Sequence, residues 1–299
     1  MFGFLNVNKP SGITSHKVIS ILRRITGIKQ IGHAGTLDPL ASGVLPIAIG
    51  KATKLIDYLS EDKEYIAGLY LGKISDTFDI EGDVKDTGAK KLELSDIEKV
   101  LPTFRGLTHQ VPPAFSAVHY NGKRLYELAR QGKIPDDIPK REINIYKNEI
   151  VDFDYDRQIL KLDIACSKGT YIRTIINDIG QALGSGAVMY ELLRTKSASM
   201  GIENSIILDE DMTKMDIEKS LIMPQDILPI QFIEISEKEI DKVKNGNKIK
   251  NMHNAKENVI LTSDGAPIAL AYSDIEFIQP KKLLIWYNYF GERWVIFQK

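Results

Sequence analysis

A chain of 299 residues with one cysteine, Cys166, has no internal disulfide and no cysteine-rich zinc site. Long apolar runs are missing as well. The longest, such as Val44-Leu45-Pro46-Ile47-Ala48-Ile49, fall far below the roughly 20 residues that span a bilayer, and no basic stretch precedes the short apolar opening. Membrane insertion and export are not expected, so the expected compartment is the cytoplasm. The five histidines, His16, His33, His109, His119 and His253, show no metal-ligand spacing, and no metal is expected. Net charge is almost absent too. There are 39 basic residues against 40 acidic ones, a formal −1 that taken as a sum argues against a polyanionic partner. What is present, 43% hydrophobic and 26% charged residues with 22 Gly and 12 Pro, is the composition of an ordinary globular protein of about two domains.

The near-zero sum conceals an uneven distribution. From Lys9 to Ile56 the chain carries Lys9, Lys17, Arg23, Arg24, Lys29, Lys51 and Lys54 against the single acid Asp38. A second basic stretch, His119 to Lys147, includes Lys123, Arg124, Arg130, Lys133 and Lys140, while Glu203 to Asp226 is strongly acidic. Such polarity suits a phosphate backbone on one face. It is equally the pattern of solvated surface.

Periodicity gives the elements. Thr14 or Ser15 caps a helix with Val18, Ile21, Leu22 and Ile25 on one stripe and Gly27 past its end. Tyr65, Ala67, Leu69 and Leu71 alternate, as do Leu160, Leu162, Ile164 and Cys166, and both segments read as half-buried strands. Ser95 and Glu98 make a capping box, and Gly169-Thr170 introduce a helix through Ile172, Ile175, Ile176 and Ile179 that stops at Gly184. Helices and strands mix without a βαβ repeat, which predicts an α+β fold with a largely antiparallel sheet. A boundary is expected near Met223 to Pro229. Beyond it, a Ser236/Glu239 capping box, a helix ending around Asn245-Gly246, and four apolar runs around Ile260, Ala269, Ile285 and Ile296 predict a small β-barrel-like module. The last runs are split by Ser273-Asp274 and Gly291-Glu292.

The densest chemical signal is Gly32-His33-Ala34-Gly35-Thr36-Leu37-Asp38-Pro39-Leu40-Ala41-Ser42-Gly43-Val44-Leu45. Its glycines and prolines shape a loop that presents Asp38, although Asp-Pro also simply initiates turns. A phosphate loop is excluded, because Leu45 stands where its first Gly belongs and Ala52 where Ser or Thr belongs. Asp79-Ile80-Glu81-Gly82-Asp83 has the flavour of a calcium loop, but Thr77 and Gly88 occupy ligand positions.

The Asp38 loop closely resembles the catalytic motif of the TruB-type tRNA pseudouridine synthases. Further matches follow in the same order: Asn8-Lys9-Pro10-Ser11-Gly12-Ile13-Thr14-Ser15, Lys63-Glu64-Tyr65, the stretch from Ser116 to Gly132, Cys166-Ser167-Lys168-Gly169-Thr170-Tyr171-Ile172-Arg173-Thr174, and Glu191-Leu192-Leu193-Arg194-Thr195. The resemblance covers about the first two-thirds of the chain. It implies a pseudouridine-synthase-like mixed sheet flanked by helices in residues 1–226, with a basic RNA-contacting insert at about 113–141. A PUA-like RNA-binding module is implied for residues 230–299.

The activity so implied is isomerisation of uridine to pseudouridine in the tRNA T loop, at position 55, without a cofactor. The N1–C1′ bond breaks, the uracil turns, and C5 bonds to C1′. By the same resemblance Asp38 is the essential carboxylate, Arg173 its ion-pair partner, and Tyr65 the residue that packs on the base and removes the C5 proton. His33, Tyr171 and Leu192 hold the extruded nucleotide, and Lys9, Lys54, Arg194, Lys123 and Arg124 are RNA or scaffold contacts, with Lys51 and Arg130 beside them. The chemistry agrees with this assignment. A carboxylate nucleophile must be ionised, which a nearby cation or helix N-terminus favours, and a stacked uridine must be flipped into a pocket with aromatic walls. The expected partner is the T arm of tRNA, bound by a monomer with no obligate protein partner and no membrane. Two alternatives are a dyskerin-like, guide-RNA-dependent enzyme for ribosomal RNA and a non-catalytic RNA chaperone in which Asp38 only turns the chain.

Overall fold

A computed structural model describes residues 1–135, 137–209 and 211–284, together with the backbone of 287–290 and 293–296. The sequence pattern dictates its first elements. Strand β1 (Gly3–Lys9) leads through a tight turn into helix α1 (Ser15–Thr26), where the Thr14 hydroxyl accepts the Lys17 N–H at 3.1 Å and Gly27 closes the helix in the left-handed conformation. Val18, Ile19 and Leu22 form its buried stripe. Strands β2 (Ile31–His33), β3 (Ser42–Ile49) and β4 (Lys63–Leu71) follow. Helix α2 (Leu94–Val100) starts earlier than the Ser95/Glu98 box predicts, because the Asp96 carboxylate reaches back to the Glu93 N–H at 3.1 Å and makes Glu93 the cap.

Strands β5 (Gly106–Gln110), β6 (Arg141–Asp154), β7 (Ile159–Cys166) and β8 (Ala187–Ser197), with a short strand Met200–Gly201 paired to β8, complete a nine-stranded sheet whose main path runs β1-β3-β8-β4-β7-β6-β5. The β3–β8 pair is parallel and the others on this path are antiparallel. The fold is therefore α+β with a mixed, largely antiparallel sheet, as the sequence predicts. Helix α3 (Ile172–Ala182) buries Ile172, Ile175, Ile176 and Ile179 in the same core as Ala67, Leu69, Leu160 and Leu162. The helix thus lies on the sheet and points its N-terminal turn at the Asp38 loop.

One pairing fixes the centre of the sheet. In β8, Arg194 stands opposite Tyr65 of β4 on one side and opposite Gly43 of β3 on the other. Gly43 has φ +101°, and a Cβ there would lie 2.2 Å from the Arg194 carbonyl oxygen. Only glycine permits that approach of two backbones.

Beyond Pro224 a second, five-stranded sheet of β9 (Gln231–Glu234), β10 (Ile249–Lys250), β11 (Glu257–Ser263), β12 (Ala266–Ser273) and β13 (Phe277–Leu283) curls in the order β9-β11-β12-β13-β10. Helix α4 (Glu237–Lys244) begins at the expected Ser236/Glu239 capping box and ends at Asn245. This half-barrel fits the expected PUA-like module. Strands Tyr287–Phe290 and Arg293–Ile296 pair in a hairpin, and the expected features at Ile285 and Gly291-Glu292 lie outside the described residues. Ile260 and Leu270 of the second sheet, with Leu284 just past β13, share a buried cluster with Phe4, Val44 and Ala48 of the first and with Leu55 of the helical turn after β3. Among the described residues no helix is long and apolar enough to cross a membrane.

The shared cluster gives a stability prediction. Leu270→Ala leaves a cavity at a fully buried site and is expected to lower unfolding free energy by about 2 to 4 kcal/mol. Calorimetry should show one transition moving down as a whole. A second transition splitting off at lower temperature, with the main one unmoved, would show that the two sheets do not share a core.

Candidate active site

The motifs spaced along the chain meet at a cleft of about 980 Å³ where the Asp38 loop, β4, β8 and the start of α3 converge. Asp38, Tyr65, Tyr171, Arg173, Leu192 and Arg194 all line it. The loop is held from several sides. The Ser15 hydroxyl donates to the Leu37 carbonyl at 3.1 Å and accepts the Leu37 N–H at 2.9 Å, the Ser11 hydroxyl donates to the Leu40 carbonyl at 2.7 Å, and the Gly12 N–H donates to the Pro39 carbonyl at 2.8 Å. The opening Lys9 to Ser15 segment is thus the cradle of the loop.

Lys9 belongs to that cradle and is no surface contact. It is fully buried, and its ammonium donates to the carbonyls of Pro10 at 2.8 Å, Ile13 at 2.7 Å and Pro39 at 3.4 Å. Burial lowers its pKa to about 8. The expectation that Lys9 reaches RNA phosphate is replaced by the scaffold role, because three carbonyls already occupy its three N–H donors. Lys54 is likewise turned inward, donating to the Leu283 carbonyl at 2.9 Å between the two sheets. Arg194 is fully buried and spans the base of the loop, with Nε donating to the Val44 carbonyl at 2.6 Å and Nη2 to the Gly35 carbonyl at 3.1 Å.

The carboxylate of Asp38 stands 39% exposed in the cleft and forms an ion pair with Arg173 Nε at 3.0 Å. Arg173 itself is buried and fully occupied. Its Nη1 donates to Asp79 Oδ2 and to the Thr77 carbonyl, both at 3.2 Å, and its Nη2 donates to the Phe115 carbonyl at 3.1 Å. Asp79, 2% exposed, is fixed in turn by the Thr77 hydroxyl at 2.6 Å and the Glu81 N–H at 3.0 Å. One guanidinium is therefore shared by a buried carboxylate that anchors it and a solvent-facing one that it orients.

The aromatic wall has two sources. Tyr65 is almost wholly buried and burial pushes its hydroxyl up to about 12, against the opposing influence of the Arg194 guanidinium. Tyr171 precedes α3, and the Gln110 side chain holds its backbone, accepting the Tyr171 N–H at 2.8 Å and donating to the Tyr171 carbonyl at 3.0 Å. Leu192 lies two residues from Arg194 on the same face of β8. His33 is on β2, outside the cleft wall, with a buried Nδ1 that makes no hydrogen bond, and burial lowers its pKa. In the basic insert, Lys123 and Arg124 form an exposed hairpin strand, while Tyr126 and Arg130 line the cleft.

Asp79 and Gln110 are the residues that sequence reasoning missed. Asp79 lies in the segment set aside as a failed calcium loop, and Gln110 ends a strand with no local motif. Among the described residues no cluster of acids, histidines and cysteines is placed to hold a metal ion.

Comparison with known proteins decides the family. The model of the TruB family pseudouridylate synthase N-terminal domain matches residues 23–172, and that of the tRNA pseudouridylate synthase B C-terminal domain matches residues 173–227. The chain belongs to the TruB family. It is 41% identical over 292 residues to the tRNA pseudouridine synthase B of Syntrophomonas wolfei, covering 94% of this chain and 97% of that one. With the namesake protein of Gloeobacter violaceus it shares 48% over 211 residues, 70% and 72% of the two chains. A solved structure of a Cbf5-Nop10-Gar1 complex has a chain of the same fold, with TM-score 0.69 at 24% identity, covering 95% of this chain and 85% of that one. The activity of the family is isomerisation of uridine to pseudouridine.

Asp79 supplies the test of this geometry. Asp79→Ala leaves a buried guanidinium without its anchor, and a loss of about 3 kcal/mol in stability is expected together with slower pseudouridine formation. Denaturant titration and product assay check both. Wild-type values for the pair of measurements would remove Asp79 from the site.

Proposed function

We propose that this protein converts uridine to pseudouridine at position 55 in the T loop of tRNA, with Asp38 as the essential carboxylate. The observation that carries the reading is the Asp38 carboxylate held toward an aromatic-walled cleft by Arg173 at 3.0 Å. A flipped uridine needs such walls, and an anionic group needs such a partner. Asp38 acts on C1′ or assists departure of the base as the N1–C1′ bond breaks. Tyr65, Tyr171 and Leu192 then confine the free uracil while it turns and presents C5 to C1′. In the last step Tyr65 removes the C5 proton, the electrons of that bond restore the C5=C6 double bond, and the C6=N1 π pair returns to N1, which is protonated from water.

Identity of 41% across 94% of this chain to a protein named tRNA pseudouridine synthase B supports tRNA over a guide-RNA complex. In this reading residues 1–226 perform catalysis, His33 steadies the unstacked nucleotide beside the cleft, and the 113–141 insert closes over the T arm through Tyr126 and Arg130. Exposed Lys123 and Arg124 contribute salt-dependent phosphate contacts. Residues 230–299 extend the RNA-binding surface. The protein acts as a cytoplasmic monomer, without cofactor, metal or protein partner.

A tRNA transcript carrying tritium at C5 of uridine tests the reading. Wild type is expected to release the label as one equivalent per tRNA, and Asp38→Asn to release none while binding tRNA as tightly. Equal release by both proteins would sink the assignment. Release by wild type from sites other than the T loop, mapped by reverse transcription after chemical derivatisation, would overturn the position.

A further inference from the structure

Arg194 plays no part in the scheme above, yet among the described residues it is the largest of the fully buried side chains. A guanidinium carries five N–H donors and a charge that stays on. Two of its nitrogens fasten the Asp38 loop at Gly35 and Val44, on either side of the catalytic carboxylate. The third, Nη1, is buried and has no hydrogen-bond partner, and among the described residues Arg194 makes no ion pair. A loop fastener needs two donors and no charge. A buried, unpaired cation with a spare donor is costly and persists where a ligand or a reacting group completes it.

The group it faces is Tyr65. Arg194 and Tyr65 are directly opposed in the β4–β8 register, and both line the cleft. The guanidinium counters the effect of burial on the phenol both by its charge and as a hydrogen-bond donor, at a separation looser than a close hydrogen bond. From the other packed elements Tyr65 meets the Cys166 thiol of β7 and the Asp38 carboxylate of the loop, with Lys63 on its own strand. Burial holds that thiol up at about 11, so it is uncharged near neutral pH. Arg194 is the cation directly across from the phenol.

We propose that Arg194 is the positioning residue for Tyr65, its free Nη1 neutralising the phenolate that accepts the C5 proton while its other nitrogens fix the Asp38 loop. This rests on the reading of Tyr65 as the group that deprotonates C5. In that step the Tyr65 oxygen takes the C5 proton as its own proton passes to solvent, the C5–H electron pair re-forms C5=C6, and the C6=N1 π pair it displaces passes to N1, which takes a proton from water. One buried side chain thus sets the geometry of the first step and the charge of the last.

The two duties are separable by experiment, because a 5-fluorouridine transcript has no C5 proton to remove. Arg194→Gln is expected to slow C5 proton release from uridine tRNA at least about tenfold, to enlarge the C5-deuterium isotope effect over wild type, and to shift the pH–rate profile upward. Its reaction with the 5-fluorouridine transcript should stay within a few-fold of wild type, and Arg194→Lys should recover part of the lost rate. Equal slowing on both transcripts, with unchanged isotope effect and pH profile, overturns the proposal and leaves Arg194 a loop fastener. If Arg194→Gln gives no cooperative melt, Arg194→Lys is read on the two transcripts in its place. It should slow the uridine transcript more than the 5-fluorouridine one, and equal slowing on both overturns the proposal. Failure of wild type to release label at all would refute the proposed reaction and not the role of Arg194.

Discussion

The Arg173 guanidinium, buried at the start of α3 and divided between Asp38 and Asp79, is the interaction on which the site depends. A cation in the interior costs desolvation, and its place is tolerable only because every nitrogen is occupied. Asp79 and the carbonyls of Thr77 and Phe115 take up its Nη nitrogens, leaving Nε to meet Asp38. The arrangement orients a carboxylate that itself remains open to the cleft. It also joins three distant segments, since the Asp38 loop, the Thr77–Asp79 turn and the Phe115 segment converge on one residue of one helix.

A second economy concerns the basic N-terminal region. Its excess of positive charge suggests a surface for phosphates, and Lys17, Arg23, Arg24 and Lys29 are exposed, but Lys9 and Lys54 face inward. Lys9 braces the turn beneath Asp38, and Lys54 bridges toward the second sheet. With Arg194 beneath the loop, buried cations replace the ordinary apolar filling around the site. The insert adds a cation to the cleft, Arg130, near the Tyr126 ring at 5.5 Å, beside Lys63 and Lys168 of the catalytic sheet and its following loop. Segment charge left Lys9 and Lys54 open between phosphate and scaffold contacts, because a count of charges carries no direction, and their carbonyl partners give the scaffold role.

Much of the architecture was legible beforehand for definite reasons. Alternation in Tyr65–Leu71 and Leu160–Cys166 could only be satisfied by strands with one buried face, and the Thr14 cap with Gly27 bounded α1 by local hydrogen bonding alone. Helix α2 began earlier than expected because Asp96, rather than Glu98, makes the reciprocal cap. Asp79 was hidden since its partner lies 94 residues away, and Gln110 since its partner lies 61 residues away.

The sequence by itself determined the strands and helices, the loop that presents Asp38, and the family. These follow from short-range periodicity, capping and collinear motifs, which are properties of neighbours in the chain. The tertiary structure decided which charges are buried, that Asp79 anchors Arg173, that Gly43 must be glycine to admit the Arg194 backbone, and that Arg194 lies across from Tyr65. Those facts depend on the pairing of β3, β8 and β4, whose register is set by burial of whole strand faces and is written in no single segment.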